Sequence, residues 1–230
     1  MLACAPALVS TVGGYLSPEV VFDQPVQERV VALSIDDGPS PATREILDVL
    51  DEYDARATFF LIGRNLLNDP QTARSIVERG SEVGHHMMTD EPSIGLDPAD
   101  FHSQFDRMDR LLADLRTARL FRPGSGLYDE RMVRQVSGHG YRIVLGSVYP
   151  FDAQIPSVTA AAWYIRTFTA PGAIIVLHDG PERGPRTAEV LRRVLPELQR
   201  AGYRVTTVGE LLDLTDDSQP SAHGVPAAGG

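Results

Sequence analysis

The chain has very little cysteine and few aromatic residues. Among its 230 residues Cys4 is the sole cysteine, which excludes an internal disulfide and any zinc site built from several cysteines. A bound metal would therefore have to use His, Asp or Glu side chains. One tryptophan, Trp163, and 7% aromatic residues are too few for a long sugar-stacking groove. This scarcity favours a short or small substrate.

Basic clusters and long apolar runs are also missing. Lys and Arg number 21 against 31 Asp and Glu, for a net charge of -10, and no basic track suited to phosphates stands out, so nucleic acid is not an expected partner. No stretch approaches the ~20 apolar residues of a membrane span. The first residues lack a positively charged leading region, so there is no clear signal peptide. No feature indicates an oligomeric state.

Strand and helix patterns alternate along the chain, which predicts a single α/β domain with parallel strands and right-handed crossovers. A length of 230 residues with 43% hydrophobic content is sufficient for such a core. We predict buried strands at Val30–Ile35, Ala57–Ile62, Glu82–Val83, Arg142–Leu145, Ile174–Leu177 and Tyr203–Thr206. We predict helices at Pro41–Asp54, Asp69–Arg79, Pro98–Arg116, Glu130–His139, Val158–Phe168 and Arg186–Arg200.

Composition divides the chain into three segments. We interpret residues 1–28 as an N-terminal extension and residues 29–214 as the domain that carries the alternating strands and helices. Residues 215–230 are small, polar and rich in Gly and Pro, which predicts a disordered tail.

Two adjacent acids end the first predicted strand. Asp36 and Asp37 follow the apolar run Val30–Ile35 and precede Gly38-Pro39, so they lie at a strand end, where α/β folds build active sites. Neighbouring strand residues point to opposite sides, which lets one carboxylate face a metal and the other a substrate or water. A solvated Asp-Gly-Pro turn is the alternative interpretation.

A second group of chemically active side chains follows the strand at Glu82–Val83. His86 and Asp90 are four residues apart, so they would share one face if this loop enters a helical turn. Together with Asp37 they would supply three metal ligands and leave positions open for water. Alternatively, Met87 and Met88 pack inward and the histidines are polar surface.

Two further segments carry candidate residues. Arg122 lies between apolar residues and a glycine-bearing loop, a placement suited to orienting a carboxylate, or to closing the loop. His178 and Asp179 end another apolar strand, where an imidazole can act as general acid or metal ligand. His139 precedes Gly140 and is interpreted as a helix cap, whereas His102 and His223 have no evident partner.

Four motifs follow one another along the chain: Ser34–Pro39, Gly84–Asp90, Arg122–Gly124 and Leu177–Asp179. In this order they resemble the motifs of the polysaccharide deacetylase family, carbohydrate esterase family 4. The resemblance extends from about Val30 to Leu212 and implies a distorted (β/α) barrel of about seven parallel strands. It also implies one divalent metal, usually Zn²⁺ with Mn²⁺, Co²⁺ or Ni²⁺ as alternatives, and removal of acetyl groups from N- or O-acetylated glycans such as chitooligosaccharide or peptidoglycan. An extracytoplasmic or cell-envelope location is implied as well.

The resemblance implies a role for each matched residue. Asp36 corresponds to the catalytic base and His178 to the general acid that protonates the departing amine. Arg122 corresponds to the arginine that orients the acid pair, and Asp152 to an aspartate that tunes His178. The implied metal ligands are Asp37, His86 and Asp90.

The implied substrate contacts are Leu177, in the pocket for the acetyl methyl group, and Tyr128 and Ser125, near the loop that supplies an oxyanion contact. This chain departs from the family pattern at Asp90, which stands where a second histidine is usual. A carboxylate there should still hold zinc but relax selectivity toward harder cations such as Mn²⁺.

Three functions follow from these observations. The first is a metal-dependent deacetylase acting on an acetylated glycan. The second is an amidohydrolase acting on a small non-sugar amide or imide, which the change at Asp90 makes credible. The third is a non-catalytic carbohydrate-binding relative, although such a protein would not need both aspartates and the strand-end histidine.

Overall fold

The computed structural model describes residues 19–115 and 118–214. The predicted disordered tail, His223, Cys4 and most of the predicted N-terminal extension lie outside the described residues.

The described residues form one curved sheet of eight strands in which all strand pairs are parallel. The order is β1-β6-β5-β4-β3-β2-β7, and β8 also pairs with β2. An isolated bridge between Val148 and Ile175 brings the segment after β6 against β7. The predicted distorted barrel is therefore confirmed. The strands are β1 (Val20–Val21), β2 (Val30–Asp36), β3 (Thr58–Leu61), β4 (Glu82–His85), β5 (Leu120–Phe121), β6 (Arg142–Val144), β7 (Ile174–His178) and β8 (Arg204–Thr206).

Helices connect the strands, as the alternating pattern predicts. Several begin with a side-chain cap from Asp or Ser, such as Asp97, which accepts hydrogen bonds from the backbone N–H groups of Ala99 and Asp100. In the described residues the α-helices are α1 (Thr43–Glu52), α2 (Gly63–Asn68), α3 (Pro70–Glu78), α4 (Pro98–Leu111), α5 (Glu130–Gly138), α6 (Val158–Phe168), α7 (Gly184–Arg200) and α8 (Val208–Asp213).

The sequence prediction found the longer elements and missed the short ones. It omitted β1, β5, α2 and α8, none of which exceeds six residues. It also extended α4 to Arg116, whereas the helix ends at Leu111. Such short segments show no measurable periodicity, because their burial is decided by neighbouring strands.

Strand alternation separates an apolar layer from a polar interior. In β2, Val31, Leu33 and Ile35 belong to the largest hydrophobic cluster, which also contains residues of α1 and α7. The alternate residues Ser34 and Asp36 point to the opposite side of the sheet. Although all seven residues of β2 are buried, only this second side carries polar groups, and it positions the site.

Within the described ranges no helix combines the length and the apolarity needed to cross a bilayer.

The turn before β7 requires glycine at position 172, for both conformational and steric reasons. Its φ is +80°, and a Cβ there would lie 1.8 Å from the backbone carbonyl oxygen of Gln24. Gly202 has nearly the same φ, +82°, but its nearest neighbour would be the flexible Cδ of Arg29 at 3.6 Å. We expect Gly202→Ala to destabilise by about 1 kcal/mol through backbone strain and Gly172→Ala by at least about 3 kcal/mol through the added clash. Urea unfolding measures both, and equal losses would contradict this account.

Candidate active site

The carboxyl ends of β2, β4 and β7 surround a cleft of about 420 Å³. Such an edge is where parallel α/β sheets present catalytic side chains. The cleft brings together most of the candidate residues from different parts of the sequence: Asp36, Asp37, His86, Asp90, Arg122, Ser125 and His178.

Asp36 is fixed by a buried arginine. Arg122 donates from Nη1 to Oδ1 of Asp36 at 2.7 Å and to Oγ of Ser34 at 2.8 Å, and from Nε to the carbonyl oxygen of Val144 at 3.0 Å. The guanidinium carbon also lies 4.2 Å from the ring centre of Phe60, within the range of a cation–π contact. Arg122 and Asp36 are 3% and 4% exposed, so each is the other's countercharge away from water.

His86 and Asp37 present two hydrogen-bond acceptors to each other. The Nδ1–H group of His86 donates to the carbonyl oxygen of Arg122 at 2.7 Å, because a carbonyl can only accept. In the neutral ring Nε2 then carries a lone pair, and it lies 3.5 Å from Oδ1 of Asp37. Asp37 reaches this position through a left-handed backbone conformation with φ of 74°. Two facing acceptors fit a cation between them.

Neighbouring charges tune the pKa values of this pair. Burial alone would raise the pKa of Asp37, but protonated His86, through its hydrogen bond and its charge, lowers it together with the charges of His178 and Arg183. Burial alone would lower the pKa of His86, but Asp37 and Asp36 raise it. The cleft therefore favours the ionised carboxylate and positive charge beside it.

Arg183 is a site residue that sequence reasoning missed. Its Nη1 donates to Oδ2 of Asp37 at 2.6 Å, and its side chain is 36% exposed. Asn65 also donates from Nδ2 to the backbone oxygen of Asp37 at 2.7 Å. In the sequence, Arg183 is marked only by its position five residues after His178 and just before α7. This signal is too weak to identify Asp37 as its partner.

His178 is held from two sides by Asp152. The carboxylate of Asp152 accepts from Nδ1 of His178 and from its backbone N–H, each at 2.9 Å. The ring of Tyr149 meets the imidazole edge-on at 5.6 Å between centres. Burial alone would lower the pKa of His178, but the hydrogen bond and charge of Asp152, with Asp36 and Asp37, raise it.

Asp90 lines the same cleft as Asp37 and His86, although it does not share a helical turn with His86. Residues 86–92 form an irregular loop rather than a helical turn, because Met87 adopts a φ of 64° and Met87 and Met88 are both buried. Asp90 is exposed at the rim of the cleft. Among the described residues, the one group of three metal-ligating side chains with donor atoms all within 4.8 Å is His102, Asp106 and His139, which does not line the cleft.

Two expected substrate contacts lie elsewhere. Leu177 is fully buried in the helix-facing cluster, since alternation along β7 turns it away from the side that carries His178; Val176 lines the cleft instead. Tyr128 packs against a cluster around Phe101 and Phe121 and does not line the cleft. The period of two along a strand, applied from His178, would have placed Leu177 correctly.

Comparison with known proteins gives consistent results. The family model of polysaccharide deacetylase matches residues 23–144. A peptidoglycan-N-acetylglucosamine deacetylase of Bacillus cereus is 32% identical over 203 residues, covering 84% of this chain and 92% of the relative. A chitooligosaccharide deacetylase of a Bradyrhizobium species is 31% identical, covering 80% and 90% respectively.

Solved structures share the fold. The crystal structure of a peptidoglycan N-acetylglucosamine deacetylase superposes with a TM-score of 0.82 at 24% identity, covering 88% of this chain and 97% of that one. A carbohydrate esterase family 4 pseudoenzyme from Bacillus anthracis has a TM-score of 0.77 at 26% identity, covering 86% and 70%. Sequence identity over most of both chains, the matching family model and the shared barrel agree with the four strand-end motifs, and the chain belongs to the polysaccharide deacetylase family.

Proposed function

We propose that this protein is a hydrolase that removes acetyl groups from N-acetylated glycans. One observation carries the proposal: Asp36 and His178 are register partners on adjacent strands, and each is held by a buried partner of opposite charge. A proton acceptor and a proton donor thus face one cleft beside the acceptor pair of Asp37 and His86. Acid–base hydrolysis of an amide by an activated water uses this combination.

The donor set supports a divalent cation at Asp37 and His86. These two side chains already converge, and Asp90 at the rim would complete the set of ligands. When bound there, the ion supplies Lewis-acid polarisation of the acetyl carbonyl and of a water molecule. A set of two carboxylates and one imidazole suits Zn²⁺ and also accepts Mn²⁺, Co²⁺ or Ni²⁺.

The remaining chemistry belongs to the chain's own residues. Asp36, oriented by Arg122, accepts a proton from the attacking water. His178, oriented by Asp152, donates a proton to the nitrogen that leaves, and acetate is released. Ser125 and Val176 line the same cleft and shape the space for the acetyl group.

The proposed substrate class is a short polymer or oligomer of N-acetylglucosamine. A cleft of about 420 Å³ lies within the usual range of small-molecule sites and suits one or two sugar units. The relatives in Bacillus cereus and Bradyrhizobium carry names that refer to peptidoglycan and chitooligosaccharide. A peptidoglycan substrate would place the protein at the cell envelope.

Acetate release tests the proposal directly. Purified protein is incubated with chitooligosaccharides, peptidoglycan fragments, acetylated xylan and small non-sugar N-acetyl amides, each with added Zn²⁺ or Mn²⁺, and acetate is quantified. Release from an N-acetylated glycan supports the proposal. Release only from small amides would favour the amidohydrolase alternative, and binding without any release would favour the non-catalytic one, for which the pseudoenzyme neighbour is a precedent.

Separate variants distinguish proton transfer from metal binding. We expect Asp36→Asn and His178→Ala to retain bound metal and to lose about 10²–10⁴-fold in turnover, the usual contribution of a positioned acid or base. His86→Ala should instead lose the metal ion of the cleft, which lowers the metal content by one ion per chain. Metal analysis and acetate release on the same samples measure both effects, and loss of metal in His178→Ala would recast that residue as a ligand.

The pH profile depends on Asp152. Because the general acid must be protonated, and Asp152 raises the pKa of His178, activity should fall only above the ordinary range of histidine. Asp152→Asn removes the carboxylate charge, lowers the pKa of His178 and should move the falling limb to lower pH. Tyr149→Phe is the matched control, since it alters a neutral neighbour of His178. If the falling limb of the pH–activity profile stays at the same pH in Asp152→Asn, His178 is not the general acid.

Arg183 competes with a cation for Asp37. Removing its charge with Arg183→Gln should tighten Zn²⁺ binding at the cleft by about tenfold, because a like charge next to the site is lost. Arg192→Gln is the control, since it removes the same charge from α7 at a residue paired with Glu45 at 2.9 Å. Titration of each chelator-treated protein with Zn²⁺ gives the affinities. Weaker binding in Arg183→Gln would show that Arg183 assists the site.

A further inference from the structure

A second group of metal-ligating side chains lies away from the cleft, between α4 and the end of α5. His102 and Asp106 are one turn apart on α4, and His139 caps α5. Nε2 of His102 lies 3.4 Å from Oδ2 of Asp106, and Nε2 of His139 lies 3.2 Å from Oδ1. All three donor atoms lie within 4.8 Å of one another, although none of these residues lines the cleft.

The hydrogen bond of His139 leaves two acceptors facing each other. Nδ1–H of His139 donates to the carbonyl oxygen of Gln135 at 2.9 Å, so in the neutral ring Nε2 carries the lone pair. That lone pair points at Oδ1 of Asp106, which is buried and accepts no hydrogen bond from the described atoms. Either a proton or a metal ion must lie between these atoms for the contact to be favourable.

Gln135 orients both imidazoles. Its backbone oxygen fixes His139, and the amide nitrogen Nε2 of its side chain lies 2.9 Å from Nδ1 of His102. The amide oxygen can accept from Nδ1–H of His102 once the amide is turned. Histidine ligands are commonly fixed in this way, with the ring nitrogen that does not bind metal donating to an oxygen. One residue thus directs both Nε2 atoms toward the carboxylate of Asp106.

We propose that His102, Asp106 and His139 form a metal site for a divalent first-row transition ion, of which Zn²⁺ is the probe. Two imidazole nitrogens and one carboxylate oxygen are typical zinc ligands, and the late first-row ions bind such a set more tightly than Mg²⁺ or Ca²⁺, which prefer oxygen. The ion enters from solvent, since the side chains of His102 and His139 are 57% and 31% exposed.

The bound ion would link α4 to the end of α5, which already contact each other through aromatic side chains. Phe105, next to Asp106 on α4, stacks on His85 at 4.2 Å and contacts the ring of His139 at 5.1 Å. His85 directly precedes the cleft residue His86. The site therefore stabilises the wall behind the cleft, and it contributes to stability rather than to the reaction.

A chain that lacks the cleft ligand isolates this site. Untagged His86→Ala protein is treated with chelator and titrated with Zn²⁺ while binding and the melting temperature are recorded. We expect one bound Zn²⁺ and, at about 100 times the Kd, a melting temperature raised by about 5–10 °C. Adding His102→Ala or His139→Ala should abolish both effects, and Mg²⁺ should produce neither.

Further variants separate ligation from loss of structure. Ser103→Ala, at an exposed neighbour of His102, should keep the full response to Zn²⁺. His102→Cys supplies a different zinc ligand and should recover binding that His102→Ala lacks. If His86→Ala binds no Zn²⁺, a proton occupies the cluster and the proposal is wrong; it is equally wrong if binding survives the combined loss of His102 and His139.

Discussion

The buried guanidinium of Arg122 is the interaction on which the cleft depends. Its side chain joins β2 to β6 by donating to Asp36 and to the backbone of Val144. Its main chain joins the end of β5 to β4, because its N–H donates to His85 and its carbonyl accepts from His86. Truncating its side chain would leave the buried carboxylate of Asp36 without its countercharge. One residue thereby sets the direction of two site groups.

Negative charge is the second constraint on the site. Asp36 and Asp37 line the cleft and Asp152 lies behind His178, and the structure balances the three carboxylates with separate cations. Arg122 faces Asp36, Arg183 faces Asp37, and His178 faces Asp152. The first and last pairs are buried, whereas Arg183 is partly exposed and can be displaced at low cost. Asp37 is consequently the carboxylate most available to an incoming ion, in agreement with its contact with His86.

The sequence predicted the parts of the structure that depend on local pattern. The apolar run before Asp36 and the one before His178 indicated strands whose ends carry polar groups, and both strands lie side by side. Tertiary contacts decided the rest. A helical turn after His86 was one possible arrangement, but burial of two methionines determines the path of this loop and leaves Asp90 at the rim of the cleft. No local pattern links His102 to His139, because packing of α4 against the end of α5 brings them together.

A barrel of this kind does not by itself imply catalysis, since a pseudoenzyme shares it. What separates the two cases is whether the proton-transfer groups are present and oriented. In this chain Asp36 and His178 are both present and both largely buried, and each makes a short hydrogen bond with a buried partner of opposite charge, Arg122 and Asp152 respectively. Burying two ion pairs is expensive unless the geometry is used. Hydrolysis of an N-acetyl group therefore explains the arrangement better than carbohydrate binding alone. Binding needs hydrogen bonds and stacking surfaces but no paired acid and base.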